Sequence, residues 1–166
     1  CAVLHDGTVR CWGGDGYFQV LPPEELGSVA SISAGYAHTC AATDDGAVQC
    51  WGDNTFGQSS VPTNLGEAIS VTVGDVHSCA LLTDERVRCW GSNQDWETGE
   101  RMGQIAVPAS VRNVKTIAAG DNHTCALTKL GNVECWGSDR WDQVSVPINL
   151  LTVIAITAGA DHTCVR

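Results

Sequence analysis

One motif sets the frame for this chain: two cysteines ten residues apart, the second followed directly by Trp-Gly. It occupies residues 1–13, 40–52, 79–91 and 125–137, and a fifth copy, cut short, starts at Cys164. From one leading cysteine to the next the spacing is 39, 39, 46 and 39 residues. Periods of that size mark solenoids and propellers, in which each unit buries its apolar faces only against its neighbours. Helical repeats of similar length exist. Here each unit carries β-branched runs and Gly-rich turns with no apolar stripe of period 3.6, so the reading is all-β.

The motif itself reads as a β-hairpin. With residue 45 as midpoint, Cys40 faces Cys50, Ala42 faces Val48 and Thr43 faces Ala47, leaving 44–46 as a three-residue loop. Such a loop is a type I turn closed by a left-handed residue, where glycine is favoured. Gly7, Gly46 and Gly131 fill that place, and Glu85 fills it in the remaining copy. A left-handed Glu costs on the order of 1 kcal/mol. Hydrogen-bonded and non-hydrogen-bonded pairs alternate outward from the loop, which puts the cysteines at a non-hydrogen-bonded site with Cα atoms about 4.5 Å apart. A disulfide tolerates that separation. The predicted bridges are Cys1–Cys11, Cys40–Cys50, Cys79–Cys89 and Cys125–Cys135, with Cys164 unpaired.

Nine cysteines among 166 residues, paired so regularly, point to an oxidising compartment, hence a secreted or cell-surface protein. A zinc site is disfavoured, because no Cys-x-x-Cys occurs and each pair sits within its own hairpin. The net charge of −10 argues against nucleic acid and against an anionic membrane surface, both of which need a basic footprint. It suits solubility and a basic partner. No apolar run is long enough for a transmembrane helix, so no membrane insertion is expected.

Strands are expected over 29–34, 38–43 and 47–51, and in the next copies over 69–73, 77–82 and 86–90, then 114–119, 123–128 and 132–136, then 153–158. Val61-Pro62 reads as a short extended piece suited to a sheet edge. Residues 1–166 form a single repeat domain. Trp12, Trp51, Trp90 and Trp136 are the large side chains supplied at a fixed place in each unit. Each can bury about 150–250 Å², and they are expected between neighbouring sheets or at sheet edges.

The third repeat carries seven extra residues, within 92–103. Trp96, Arg101 and Met102 of that insertion are residue types favoured in interfaces. Phe56, Trp141, Tyr17 and Phe18 lie in the equivalent loops of other repeats, so a rim of aromatic residues on one face would form a binding surface. His38, His77, His123 and His162 recur two residues before a cysteine. Belonging to successive repeats, they are spread along the array, and they read as structural side chains bonding a neighbouring turn. Asp15, Asp53, Asp95, Asp139 and Asp142 follow the Trp-Gly steps and read as turn formers, since no loop supplies the dense alternating ligands of a calcium site. No nucleophile elbow, no zinc-protease motif and no phosphate-cradling loop is present. The expectation is a non-enzyme without metal or cofactor.

The repeat resembles a known family. Gly35 to Ala41, Gly46 to Gly52, Asn54 to Gln58 and Val61-Pro62 together look like the repeat of the regulator of chromosome condensation family. The resemblance runs through essentially the whole chain. It implies a β-propeller with four-stranded antiparallel blades, usually seven to a ring, so that this chain would be a segment of a larger ring or array. The short spacer ending in Val-Pro looks most like secreted bacterial members, including the propeller-type β-lactamase inhibitory proteins. The paired cysteines and the longer hairpin loop depart from that pattern. Cys164 to Arg166 would occupy the strand slot of Cys1 to Val3, which disfavours closure of four repeats on themselves.

The reading is an extracellular protein-binding scaffold that works through its variable loops. Alternatives are a secreted enzyme inhibitor, a glycan-binding lectin, and a guanine-nucleotide exchange factor, the last opposed by the disulfides. Mapping of non-reduced proteolytic peptides from native protein is expected to return four linkages, each within one hairpin. Reduced sulfurs, or linkages between hairpins, would remove both the hairpin reading and the extracellular expectation.

Overall fold

The computed structural model describes all 166 residues, in thirteen strands and no helix. A first hairpin joins β1 (Ala2–Val3) and β2 (Val9–Arg10). Three antiparallel sheets follow. They are β3 (Val29–Ala34), β4 (His38–Thr43) and β5 (Val48–Gly52); β6 (Ala68–Val73), β7 (His77–Leu82) and β8 (Val87–Gly91); and β9 (Val114–Ala119), β10 (His123–Thr128) and β11 (Val133–Gly137). A last pair joins β12 (Ile156–Ala158) and β13 (Thr163–Val165). The strand expected from 153 starts only at Ile156; ahead of it Ile154 N and Ala155 N both donate to the carbonyl of Arg166.

Each complete sheet has three laddered strands where the resemblance implies four, and the Val-Pro segment read as an edge piece stays outside the ladder. The reason lies in its donors. Val61 N, Val107 N and Val146 N each donate to the carbonyl two residues back, at 3.0–3.2 Å. The proline that follows has no N–H to offer.

The hairpin register is the expected one. Cys40 faces Cys50, Ala41 faces Gln49 and Ala42 faces Val48, and the pattern repeats at Cys79–Cys89 and Cys125–Cys135. Thr43 N donates to Ala47 O at 2.9 Å, closing the pair nearest the loop. The left-handed place is taken by Gly7, Gly46 and Gly131 at φ near 80° and by Glu85 at 65°. All four disulfides form within their hairpins, with Cα separations of 3.9–4.1 Å, and Cys164 is free.

The core is not inside any sheet; it lies between sheets. Side chains of β4 alternate: Ala41 packs toward the first hairpin with Val9, Leu26 and Val29, whereas Cys40 and Ala42 pack toward the next sheet with Val71, Val73, Ala80 and Leu82. In β7, Cys79 and Leu81 take the onward side and join Val114, Ile117 and Ala126. Residues two apart therefore share a face, as strand geometry requires. The turn of each hairpin also bonds through the backbone to the start of the next repeat. Gly7 O, Gly46 O, Glu85 O and Gly131 O accept from Val29 N, Ala68 N, Val114 N and Val153 N at 2.9–3.1 Å.

A buried polar clamp recurs at each junction. Gln58 O accepts from Ser78 Oγ at 2.8 Å and from Trp90 Nε1 at 3.0 Å. Gln19 O does the same for Thr39 and Trp51, and Gln104 O for Thr124 and Trp136. Both carbonyl lone pairs are thus engaged. The hydroxyl then meets a histidine of the preceding sheet: His38 Nε2–Ser78 Oγ is 2.9 Å, His77 Nε2–Thr124 Oγ1 2.9 Å and His123 Nε2–Thr163 Oγ1 3.0 Å. The histidines thus bond the neighbouring strand, not a neighbouring turn. Since each hydroxyl donates its one proton to the glutamine carbonyl, it accepts from the imidazole, which places the ring proton on Nε2.

The rings of His77 and His123 are laid against the turn glycines Gly74 and Gly120. A Cβ on Gly74 would stand 2.3 Å from His77 Cε1 and 2.5 Å from Gly120 O, so only glycine fits between sheet and ring. Trp51, Trp90 and Trp136 are buried, while Trp12, ahead of the first such junction, is exposed. Burial pushes the imidazole of His38 down to about 4 and that of His77 to about 3, and it lowers His123 as well. The unfolded chain takes up these protons near pH 6.5. Their neutral burial therefore stabilises the fold fully above that pH, and the contribution declines as pH falls from there toward the folded values.

Candidate functional site

The loops between sheets gather at one rim, and a single device shapes them. Gln19 Oε1, Gln58 Oε1 and Gln143 Oε1 accept from the backbone N–H of Tyr17, Phe56 and Trp141, at 2.7–2.9 Å. The residue between is left-handed in every repeat: Phe18, Gly57, Gly103 and Asp142. The glutamine whose carbonyl is held by the clamp thus also fixes the aromatic residue two places before it. Aspartates complete the turns. Asp53 takes Thr55 N at 3.1 Å and Gln58 Nε2 at 2.8 Å, and Asp139 takes Val144 N at 3.1 Å and Ser145 Oγ at 2.9 Å. Burial works to raise the Asp53 carboxyl, but the hydrogen bonds from Thr55 and Gln58 outweigh it and leave the group lowered.

The insertion in the third repeat forms a small hairpin of its own. Gln94 pairs with Arg101, Asp95 N donates to Glu100 O at 2.9 Å, and Gly99 N returns to Asp95 O at 2.9 Å. The Asp95 carboxylate accepts from Thr98 N at 2.8 Å and Glu97 N at 3.0 Å, which caps the turn and lowers its pKa. Gln104 cannot repeat the usual loop-back. Met102 N goes to Asn93 O at 3.0 Å, and Gln104 Nε2 reaches Gln94 O at 3.1 Å instead.

This arrangement lifts Trp96 over the turns that precede the histidines. A cleft of about 490 Å³ opens there, walled by Trp96, Tyr36, Met102 and Trp141 and floored by Asp75, Asp121 and Asp161. A smaller hollow of about 260 Å³ lies on the other side of Trp96, between Tyr17, Tyr36 and Phe56. The rings are open to solvent: Trp96 is 50% exposed, Trp141 66% and Tyr36 73%. The floor is tied across sheets by the backbone, Asp75 N to Asp121 O at 3.1 Å and Asp121 N to Ala160 O at 3.0 Å. Burial, followed by the charge of Asp121, raises the Asp75 carboxyl to about 6. Burial and the charge of Asp161 raise Asp121 too.

Of the residues singled out in the sequence, Trp96, Met102 and Trp141 meet in the main cleft, and Tyr17 and Phe56 line the hollow beside it. Phe18 and Arg101 line neither. Phe18 sits at the left-handed turn position and points to solvent, and Arg101 is held in the bridge to Gln94. Tyr36, Asp75, Asp121 and Asp161 were not anticipated. The signal for them is their position between the turn glycine and the histidine, where the aligned repeats read Gly-Tyr-Ala-His, Gly-Asp-Val-His, Gly-Asp-Asn-His and Gly-Ala-Asp-His. No group of three or more His, Cys, Asp or Glu side chains is placed to hold a metal ion.

Comparison with known proteins gives the family and the fold. The family model "Regulator of chromosome condensation (RCC1) repeat" matches residues 29–58, 68–95 and 114–140. Comparison with curated proteins finds no relative. Among solved structures, Prp20p of Saccharomyces cerevisiae is similar at 18% identity and TM-score 0.71, over 94% of this chain and 49% of that one. The entire ectodomain of the receptor kinase CR4 from Physcomitrella patens is similar at 27% identity and TM-score 0.64, over 86% of this chain and 37% of that one. The ectodomain of the receptor kinase ACR4 from Arabidopsis thaliana stands at 23% and 0.61, over 81% and 45%. The chain spans less than half the length of each.

Asp75 and Trp96 line the same cleft, which makes it spectroscopically readable. Trp fluorescence is expected to show a transition with midpoint near pH 6 that disappears in Asp75→Asn. A transition that survives the substitution, or one confined to the ordinary carboxylate range near pH 4, would contradict the buried, charge-crowded floor.

Proposed function

The chain belongs to the regulator of chromosome condensation repeat family, and from that premise we propose that it is an extracellular protein-binding segment of a propeller that engages its partner through the loop rim. The observation that carries the reading is the cleft at Trp96, where three exposed aromatic rings stand on a disulfide-stapled scaffold. Rigid aromatic side chains supply contact area at low entropic cost and dominate binding hot spots. Four intra-hairpin disulfides fit an oxidising compartment. So does the similarity to the CR4 ectodomain, the more identical of the solved structures compared above. Protein partners are named for structures of the same fold: Gsp1p and histones for Prp20p, and Kap60 for yeast RCC1.

The rim is the surface free to vary. The sheets are pinned to one another by buried groups, whereas the insertion at 92–103 is accommodated without disturbing β8 or β9. An enzyme inhibitor would be the special case in which the partner is itself an enzyme. The test is capture from an extracellular extract by the wild-type chain, by Trp96→Ala and by Trp96→Ala/Trp141→Ala, each checked for unchanged folding by circular dichroism. The captured protein is expected to be lost in stages, with each ring contributing roughly 1–3 kcal/mol. A partner retained undiminished by the double variant would sink the rim as the binding surface.

A further inference from the structure

We infer that the Trp96 cleft receives a basic segment of the partner, an arginine-bearing loop or tail whose guanidinium lies between the rings of Trp96 and Trp141 above the carboxylates of Asp75 and Asp121. The inference rests on the protein-binding reading above and names the chemistry of its partner. Three observations carry it. The first is the walls. Exposed indole faces attract cations through the ring quadrupole, and arginine stacks on them more often than lysine does. Trp96 and Trp141 both face the same opening of about 490 Å³, which is roomy enough for an arginine side chain.

The second is the uncompensated charge of the floor. The ion pairs of the chain are Arg86–Asp84, Lys129–Glu85 and Arg140–Glu100. None involves Asp75, Asp121 or Asp161, although Asp75 and Asp121 are half-buried side by side. Arg140 is the one cation at the cleft, and it sits at 3.5 Å from Glu100 with its field acting on Asp95. Carboxylates crowded in this way repel one another, and an incoming cation relieves that repulsion, which a neutral ligand such as a sugar does not. The third is rigidity. The floor residues are joined by backbone hydrogen bonds across three repeats, so their spacing is set before any partner arrives.

The test uses a blocked heptapeptide carrying two arginines, its counterpart with both arginines replaced by citrulline, and a neutral oligosaccharide, each titrated into the chain with Trp fluorescence as readout. The arginine peptide is expected to bind, with affinity falling as salt rises, and the citrulline peptide to bind roughly tenfold more weakly or not at all. Asp75→Asn/Asp121→Asn and Trp96→Ala are each expected to weaken binding by roughly tenfold. Glu24→Gln/Glu25→Gln, which removes the same charge from an exposed loop elsewhere, is expected to leave it within about twofold.

Equal loss in the Glu24/Glu25 variant would reduce the effect to net charge and overturn the site. Equal affinity for the citrulline peptide, or binding of the oligosaccharide in place of the peptide, would overturn the cationic partner. The two readings fail separately. If the partner captured from extract is lost with Trp96→Ala but kept by Asp75→Asn/Asp121→Asn, and the arginine peptide does not bind, the rim stands and the basic segment falls.

Discussion

The structure depends on a hydrogen-bonded chain that crosses each junction between repeats: imidazole to hydroxyl, hydroxyl to glutamine carbonyl, and the same carbonyl to an indole. His38, Ser78, Gln58 and Trp90 form one such chain, and His77, Thr124, Gln104 and Trp136 another. Every member is deeply buried. Buried polar groups are costly unless satisfied; Nδ1 of His38, His77 and His123 has no partner, and a wrong neighbour or a shifted register would leave several further donors and acceptors bare at once. Apolar packing between sheets supplies most of the driving force but is tolerant of small slips. The polar chain is what makes one stacking arrangement much better than the rest.

From the junction the order passes outward to the rim. The glutamine that accepts from tryptophan through its carbonyl also accepts through its side chain from the loop residue two places earlier. A buried scaffold contact and an exposed aromatic residue are therefore parts of the same residue's hydrogen bonding. The disulfide acts on the other side of the hairpin. It closes the non-hydrogen-bonded pair and shapes the face that packs on the following sheet, as Cys40 does against Val71 and Ala80. The binding loops stay ordered because glutamines and aspartates within them bond their own backbone while the same glutamine's carbonyl is held at the buried junction.

Much of this was legible in the amino-acid order. Ten-residue cysteine spacing with glycine at the left-handed place fixes loop length, register and bridge together, and Glu85 takes that conformation when glycine is missing. The Val-Pro segment misled, because valine's N–H turns back on the carbonyl two residues earlier and is not free to ladder. The histidines were legible as structural, but their partners were not. Ser78 is forty residues from His38, one repeat and one residue away, and nothing local connects them. The hydroxyl residue after each histidine, at Thr39, Ser78, Thr124 and Thr163, is the trace that a repeat-by-repeat comparison offers. At the rim, Trp96 and Trp141 stood out as large exposed rings, whereas Asp75 and Asp121 acquire meaning only when adjacent repeats set them side by side. Arg101 and Phe18 have the composition of interface residues without the placement.

The most direct test of this junction is nitrogen NMR of the imidazoles through a pH titration. His38, His77 and His123 are expected to carry their proton on Nε2 and to remain neutral well below the ordinary histidine range, His38 to about pH 4 and His77 to about pH 3. Protonation of these rings near pH 6.5, or a proton resident on Nδ1, would show that the hydroxyls are not bonded as described and that the repeats are held together some other way.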